Sequence, residues 1–309
     1  MPPADQHRFV FVGGLHRSGT SLVARSLTEH PSVSGFRDTG VPEDEGVHLQ
    51  DVYRGYGGWG RFGFDPRSHF TEHSPLVSDE ARARLLAQWG RHWDLRKPVL
   101  LEKSPANLLK ARFLQALFPR SWFVMVIRHP AVVAAATQRW TRPVLPGAVD
   151  ARPLLRTADR AARRVAAWLT GPSLVRHWIV CHETLAGDLP CVRRIAIVRY
   201  EDLVCDPEAE LARLHSFIDL ELRSTEVAVR SGLNEHHLRR WRGGGWNLVK
   251  RLHSATIAAR YEARINRFGY SFGDSRTVAR GARDANELLV RADPGSRALR
   301  PERLPSTRR

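Results

Sequence analysis

The stretch GGLHRSGTS, residues 13–21, follows the apolar run FVFV, residues 9–12. It nearly matches the phosphate-binding pattern G-x-x-x-x-G-K-[ST], but Thr20 stands at the position of the lysine, and the cation, Arg17, comes three residues earlier. The apolar run predicts a strand, and the residues after Gly19 predict a helix. The stretch is therefore either a damaged ATP-binding loop or a loop adapted to another phosphate ligand.

A turn between a strand and a helix exposes successive backbone N–H groups, and the positive end of the helix dipole faces the same place. Anions are the natural ligands of such a turn. Ser18, Thr20 and Ser21 add hydroxyl donors, and Arg17 adds a planar cation that can bind two oxygens at once. The alternative interpretation is a simple tight turn that is capped by Ser18.

Short apolar runs alternate with helical patterns along the chain. Continuous hydrophobicity is typical of strands that are covered on both faces, as in a parallel sheet. The alternation predicts a three-layer α/β/α fold with a central parallel sheet, like that of P-loop NTPases, whose ligands bind at the carboxyl ends of the strands. The predicted strands are 8–13, 98–101, 122–127 and 195–200. The predicted helices are 19–29, 79–93, 106–118, 131–140, a surface helix at 154–169, and 207–218, which Asp206 is expected to cap.

Two segments depart from this alternation. Residues 34–78 are rich in Gly, Pro, Asp and aromatic residues, and a loop-rich insertion of this length is expected to contact the substrate or to form a lid. Residues 273–309 have little apolar content and no strong period, so we expect a basic, mobile tail. The sequence therefore predicts one domain over residues 1–272, followed by the tail.

The charge of the chain is strongly basic. Forty-eight Lys and Arg residues against 32 Asp and Glu residues give a net charge of +16, which raises the hypothesis of a nucleic-acid-binding protein without catalysis. The basic residues are dispersed, however, and no sequence motif for reading bases is recognisable. The pattern favours a solvated surface that attracts a small anionic substrate, and no specific nucleic-acid partner is expected.

Composition also limits the compartment and the chemistry. No apolar run approaches the roughly 20 residues of a transmembrane helix, and the first ten residues lack the apolar core of a signal peptide, so we expect a cytoplasmic protein. The three cysteines lack the spacing of a zinc site and are expected to be free thiols. The pairs His236-His237 and His177/His182 lack matching acids or cysteines, so no metal is expected.

A second cation follows the most apolar run, WFVMVI, which leads into Arg128. An NTPase would need an acidic residue at the end of such a strand to hold magnesium, and none is convincing here. A kinase or NTPase with a non-standard phosphate loop stays open as the alternative. Arg17 and Arg128 at the ends of two strands instead suit a ligand that carries phosphate at two separate places.

These residues resemble the sulfotransferases that use 3′-phosphoadenosine 5′-phosphosulfate (PAPS), whose first loop typically reads [KR]-x-G-T-[ST] after the first strand. The resemblance implies that Arg17 contacts the 5′-phosphosulfate. It also implies that the loop amides around Gly19, with Ser18, Thr20 and Ser21, hold the phosphate. The implied reaction transfers a sulfonate group to an acceptor hydroxyl, such as one on a carbohydrate or glycosylated metabolite, and leaves the 3′,5′-bisphosphate PAP.

The family's second signature is an Arg that ends a later strand, then x-P or x-G, with a Ser eight residues after the Arg. Here Arg128 and Pro130 match, and the resemblance implies that Arg128 binds the 3′-phosphate. The sequence departs from the pattern at the serine, because the eighth residue is Ala136 and the nearest hydroxyl is Thr137. Either Thr137 replaces the serine or one phosphate contact is lost.

Three further segments resemble the family. LEKSPANLLKARFLQALFPRSWFVMVIRHP, residues 101–130, is similar to its K-[ST]-P segment and the strand that leads to the 3′-phosphate site. IVRYEDL, residues 197–203, is similar to its R-Y-E-D-L segment, which implies that Tyr200 lies near the nucleoside. LRRWRGGGWNLVKR, residues 238–251, resembles a closing segment in which Trp241 and Arg239 would cover the nucleotide. The resemblance spans roughly residues 9–272.

The general base is the weakest point of the resemblance. Pro105 takes the place of the His that some members use after K-[ST]. Other members use an acid soon after the first helix, and the segment RDTGVPEDEGVH, residues 37–48, offers several candidates. Glu45 and Glu43 rank first, followed by His48 and Asp38. Arg17 is expected to stabilise the leaving phosphate, and Lys103 either binds sulfonate oxygens or is a surface lysine in a turn.

Overall fold

The computed structural model describes residues 6–55, 65–140, 156–223, 233–242 and 248–273. Its centre is a parallel sheet of five strands in the order β2-β3-β1-β4-β5. The strands are β1 Arg8–Gly14, β2 Val33–Gly35, β3 Val99–Lys103, β4 Ser121–Ile127 and β5 Ile195–Arg199. The helices are α1 Thr20–Thr28, α2 Asp79–Trp89, α3 Ala111–Leu117, α4 Pro130–Trp140, α5 Arg156–Asp188, α6 Tyr200–Cys205, α7 Pro207–Phe217, α8 Leu233–Arg242 and α9 Leu248–Asn266.

Each face of the sheet packs against its own layer of helices. Alternate residues of β1 point to opposite faces, so Phe9 and Phe11 join one apolar cluster, with residues of α2, α3, α5 and α9, while Val10 and Val12 join another, with residues of α1 and α7. Both clusters are closed to solvent, which explains why the strands read as continuous apolar runs. The predicted three-layer α/β/α fold with a central parallel sheet is confirmed.

The structure corrects several predicted elements. A fifth strand, β2, was missed because three residues are too few to form a pattern. The single helix predicted over 106–118 is a 3-10 turn, Pro105–Leu109, followed by α3, and Tyr200 begins α6 instead of ending β5. The predicted surface helix at 154–169 belongs to α5, whose later residues Val175 and Trp178 are fully buried. Asp206 caps α7 as predicted, because its Oδ1 accepts a hydrogen bond from Ala209 N at 3.1 Å.

The insertion and the tail lie partly outside the described residues. Within 34–55 and 65–78, the chain after the end of β2 forms 3-10 turns at Pro42–Asp44, Gly46–His48 and Pro66–Ser68. The tail predicted for 273–309 lies outside the described residues except for Gly273, so its mobility stays a prediction. Among the described helices, none has the length and hydropathy that a membrane span requires.

Candidate active site

The carboxyl ends of three adjacent strands deliver the predicted site residues to one edge of the sheet. The phosphate loop follows β1, Lys103 ends β3, and Arg128 follows β4 directly. Parallel strands place their carboxyl ends on the same edge, and β1 lies between β3 and β4. The loop therefore has one predicted cation on each side.

Three residues of the phosphate loop, residues 14–21, have positive φ, the first being Gly14 at φ 155°. Arg17 has φ 67° and Gly19 has φ 109°, and Gly19 is the N-cap of α1. A Cβ atom on Gly19 would lie 2.4 Å from Tyr200 Cδ2, so only glycine fits against this ring. Non-glycine residues rarely adopt a positive φ, and such strain clusters at ligand sites. The loop is shaped to expose the N-terminus of α1 at the edge of the sheet.

The hydroxyl groups of this loop do not all face outward. Ser18 is buried, and its Oγ donates a hydrogen bond to Leu15 O at 2.6 Å, as its own backbone N–H does at 3.0 Å. Ser18 thus closes the turn in this structure, and its contact with phosphate stays a prediction. Thr20 and Ser21 are the first two residues of α1, where backbone N–H groups have no partner within the helix.

Arg128 is held in place by its neighbours. Its Nε and Nη2 donate to Asn234 Oδ1 at 2.9 and 2.6 Å, and its Nη1 donates to Arg17 O at 3.0 Å. The guanidinium lies over the Tyr200 ring, 3.8 Å from the centroid. Burial lowers the pKa of Arg128, and the electrostatic influence of nearby acidic groups, of which Tyr200 is the strongest, opposes this shift. The guanidinium of Arg128 is thus hydrogen-bonded to the backbone of the phosphate loop at Arg17.

On the other side of the loop, Lys103 binds the segment that carries the candidate bases. The Lys103 side chain is buried, and its Nζ donates to Glu43 O at 2.7 Å and to Glu45 Oε1 at 3.3 Å. Burial raises the pKa of Glu45, and the neighbouring Lys103 ammonium opposes that rise. The Glu45 Oε2 lies 3.7 Å from His48 Nε2. Lys103 is therefore not a free surface lysine, and Glu45 has the environment of a proton acceptor.

The remaining acids of this segment differ in their surroundings. Glu43 is exposed and its Oε2 accepts from Ser21 Oγ at 3.2 Å, which brings it against the phosphate loop. Asp44 accepts from both N and Oγ1 of Thr39, and these bonds lower its pKa although burial works in the opposite direction. Asp38 is exposed at φ 55°. Of the acids proposed from sequence, Glu45 and Glu43 are the ones placed beside Lys103 and the loop.

Glu102 is a buried carboxyl that sequence reasoning missed. It belongs to β3 and is fully enclosed. Ser104 Oγ donates to its Oε1, and Asn107 Nδ2 donates to its Oε2 and also to Val12 O at 3.1 Å. Burial raises the pKa of Glu102 to about 7, although the hydrogen bonds from Ser104 and Asn107 act in the opposite direction. Glu102 therefore ties the end of β3 to the end of β1.

The same carboxyl supports the segment that follows Glu45. A Cβ atom on Gly46 would lie 2.4 Å from Glu102 Oε1, so the backbone packs directly on the carboxyl. Ser104 Oγ accepts a hydrogen bond from Val47 N at 2.9 Å. Glu102 and Ser104 thus fix the position of the backbone directly after Glu45 relative to the edge of the sheet.

His16 in the phosphate loop is a second missed residue. Burial lowers its pKa to about 4, with smaller contributions from His177, Arg17, Lys103 and His48. Its imidazole is therefore neutral near pH 7 and adds no charge beside the cations. Sequence reasoning gave His16 no role, because its burial and its nearness to His177, Lys103 and His48 depend on parts of the chain that are distant in sequence.

Two predicted nucleotide contacts lie in the core. Thr137 is buried in α4, and Trp241 is buried in α8 and stacks on Phe272 with ring centroids 6.1 Å apart. Arg239 is exposed. The contacts of these three side chains with a ligand stay predictions. Within the described ranges, no cluster of three or more His, Cys, Asp or Glu residues could hold a metal ion.

Comparisons with known proteins agree on one family. Residues 10–224 match the family model described as "Sulfotransferase family". The chain is 27% identical over 214 residues to a putative protein-tyrosine sulfotransferase of Caenorhabditis briggsae, covering 69% of this chain and 66% of that protein. It is 25% identical over 213 residues to protein-tyrosine sulfotransferase A of Caenorhabditis elegans, covering 69% of this chain and 50% of that protein.

Similarity extends to a bacterial protein and to a solved structure. The chain is 24% identical over 223 residues to nodulation protein NoeE of Sinorhizobium fredii, covering 66% of this chain and 48% of that protein. A sulfotransferase from Alicyclobacillus acidocaldarius superposes with a TM-score of 0.44 at 16% identity, covering 84% of this chain and 96% of that chain. The match thus spans about half to two thirds of the curated relatives' lengths. Since the family model covers more than half of the chain, the protein belongs to the sulfotransferase family.

Proposed function

We propose that this chain transfers a sulfonate group from PAPS to a hydroxyl group of an acceptor. The observation that carries the proposal is the hydrogen bond from Arg128 Nη1 to Arg17 O, which holds the guanidinium of Arg128 against the backbone of the residue that carries the second cation. PAPS carries its 3′-phosphate and its 5′-phosphosulfate on opposite sides of one ribose, so it needs two such sites close together. The α1 N-terminus suits a phosphate group in general, and the absence of a lysine at position 20 supports a ligand other than a nucleoside triphosphate.

The residues of the site fit the charges of this substrate. Arg17 is exposed and can bind the leaving phosphate, where negative charge develops during the transfer. Arg128 can bind the 3′-phosphate, because within the described residues three of its five N–H groups are engaged and two remain. The Tyr200 ring packs against one face of that guanidinium. Thr137 is the hydroxyl that we propose in place of the family's serine.

The acceptor side of the site is assigned to Lys103 and Glu45. Glu45 removes the proton from the acceptor hydroxyl, because its buried carboxylate with a raised pKa is a better proton acceptor than an exposed one. Lys103 orients Glu45 through their ion pair and has a further N–H group for a sulfonate oxygen. Glu43 is the neighbour whose replacement tests this assignment. Catalysis rests on positioning and on charge stabilisation.

The acceptor class is tested by its chemistry. Two of the relatives are named protein-tyrosine sulfotransferases, which supports a tyrosine-containing peptide as one probe, and an oligosaccharide is the other. Sulfonate incorporation would be followed by mass spectrometry with PAPS as donor. Transfer to either hydroxyl supports the proposal. Absence of transfer to every acceptor, together with magnesium-dependent ATP hydrolysis, would instead support a kinase or NTPase.

The proton acceptor is tested by paired variants. Glu45→Gln should lower kcat by about 100-fold or more while the affinity for PAP is retained, since a general base contributes roughly 10²–10⁴ to the rate. Glu43→Gln should lower it far less. Glu80→Gln, an exposed carboxyl on α2, is the matched control and should leave kcat unchanged. A larger loss for Glu43→Gln than for Glu45→Gln would reverse the assignment.

A further inference from the structure

Arg128 depends on a residue that lies 106 positions away in the sequence. Asn234, at the start of α8, accepts hydrogen bonds from Arg128 Nε and Nη2 through one oxygen, Oδ1. This oxygen faces the edge of the guanidinium that contains both nitrogens. Since Arg17 O takes one N–H of Nη1, the rotation of the guanidinium about its long axis is fixed from two sides.

Asn234 is itself oriented by Glu201. Its Nδ2 donates to Glu201 Oε1 at 2.9 Å, so the amide cannot turn over without placing its oxygen against the carboxylate. Glu201 also accepts from His129 N at 3.0 Å and from Tyr270 Oη at 2.9 Å. Three donors from separate parts of the chain thus fix the carboxylate, which follows Tyr200 in α6.

The chemistry of this chain of contacts suits a phosphate site. A carboxylate in direct contact with Arg128 would satisfy its charge and would repel an incoming phosphate. Asn234 instead offers Arg128 a neutral oxygen. Its amide stands between Arg128 and the carboxylate of Glu201, which it contacts through Nδ2. The guanidinium is oriented, but its positive charge is not paired within the described residues.

We infer that Asn234 is a positioning residue for the 3′-phosphate, acting through Arg128, and that Glu201 sets the orientation of its amide. The inference rests on the proposed function, because it presumes that Arg128 binds that phosphate. It assigns a determinant of nucleotide selectivity to α8, outside both phosphate motifs.

The test compares PAP with adenosine 5′-monophosphate, which lacks the 3′-phosphate. Asn234→Ala should weaken the binding of PAP by about tenfold, the loss typical of a hydrogen bond to a charged group, and should change the Kd for the monophosphate less than about twofold. His236→Ala, an exposed neighbour on α8, is the control and should change neither Kd. Equal weakening of both ligands would mean a general structural role and would overturn the inference, as would tighter binding of PAP.

Two further variants separate this inference from the proposed function. In the double variant Arg128→Ala/Asn234→Ala, the affinity for PAP should equal that of Arg128→Ala alone, because Asn234 acts only through Arg128. Asn234→Asp retains the oxygen but adds a negative charge, so it should bind PAP more weakly than Asn234→Ala and the monophosphate nearly as well as the wild type. Additive losses in the double variant would overturn the inference while leaving the proposed function standing. Failure of the wild type to prefer PAP over the monophosphate would refute the proposed function itself.

Discussion

Replacement of Glu102 by Gln should change how the stability of the protein depends on pH. The folded protein encloses this carboxyl completely, and burial raises its pKa from 4.5 to about 7. Between these two pH values the folded state binds more protons than the unfolded state. The contribution of Glu102 to the free energy of unfolding is therefore fully present below pH 4.5 and is lost as the pH rises through about 7. Glutamine occupies nearly the same volume and has no charge to bury.

The size of the effect follows from the pKa. At about 1.36 kcal/mol per pH unit, the ionisation of Glu102 costs roughly 3 kcal/mol in total. Roughly 2.5 kcal/mol of this falls between pH 5 and pH 8, because the unfolded carboxyl is already partly ionised at pH 5. For a chain of 309 residues, a change of this size corresponds to a shift of roughly 4 °C in Tm.

The assay is urea unfolding of the wild type and of Glu102→Gln at closely spaced pH values from 5 to 8. The free energy of unfolding of Glu102→Gln, relative to that of the wild type, should increase by roughly 2.5 kcal/mol as the pH rises from 5 to 8. Glu72→Gln is the control, because its ion pair with Arg112 lowers the pKa of Glu72 to about 2, so it is ionised throughout this range. A difference for Glu102→Gln that stays constant with pH, as that for Glu72→Gln should, would refute the assigned environment of Glu102.

Two other substitutions test the loop and the insertion. Gly19→Ala should abolish measurable binding of PAP, because its Cβ would lie 2.4 Å from the Tyr200 ring, whereas Gly40→Ala, also at positive φ but with open space around it, should lose only about 1–2 kcal/mol of stability and no affinity. Lys110→Met should raise the stability at pH 7 by roughly 1–3 kcal/mol, because Lys110 Nζ is buried against Ser68 O and burial lowers its pKa to about 8. Below that pH the buried ammonium of Lys110 destabilises the folded wild type, so the higher stability of Lys110→Met should diminish between pH 8 and pH 10.5 in thermal unfolding. A stability difference that does not change with pH would contradict the lowered pKa of Lys110.

The sequence predicted the parts of the fold that have a local signal. Buried strands read as apolar runs because helices cover both faces of the sheet, and the loop before α1 reads as a glycine-containing turn between a strand and a helix. The strand β2 carries no such signal, since three residues show no period. The break between the 3-10 turn and α3 could not be predicted either, because Lys110 at this break looks like an ordinary helical residue until its burial is known.

The candidate site was predictable to a similar extent. Arg17 was found because it lies in the glycine-containing turn after β1, Arg128 because it directly follows β4, and Lys103 because it ends β3. The environment that favours Glu45 over its neighbours could not be read from the sequence, since it depends on burial and on contact with Lys103. Asn234 had no local signal at all, because its importance rests on a contact with a residue 106 positions away.

The central claim is that two coupled arginines bind the two phosphates of PAP, and calorimetric titration of PAP and of ATP with magnesium tests it most directly. Wild-type protein should bind PAP at least about tenfold more tightly than ATP, and Arg17→Ala and Arg128→Ala should each weaken PAP binding by about tenfold or more. Arg96→Ala, an exposed arginine paired with Asp94, controls for the loss of one positive charge and should leave PAP binding unchanged. Tighter, magnesium-dependent binding of ATP, with PAP affinity indifferent to Arg17 and Arg128, would contradict the account.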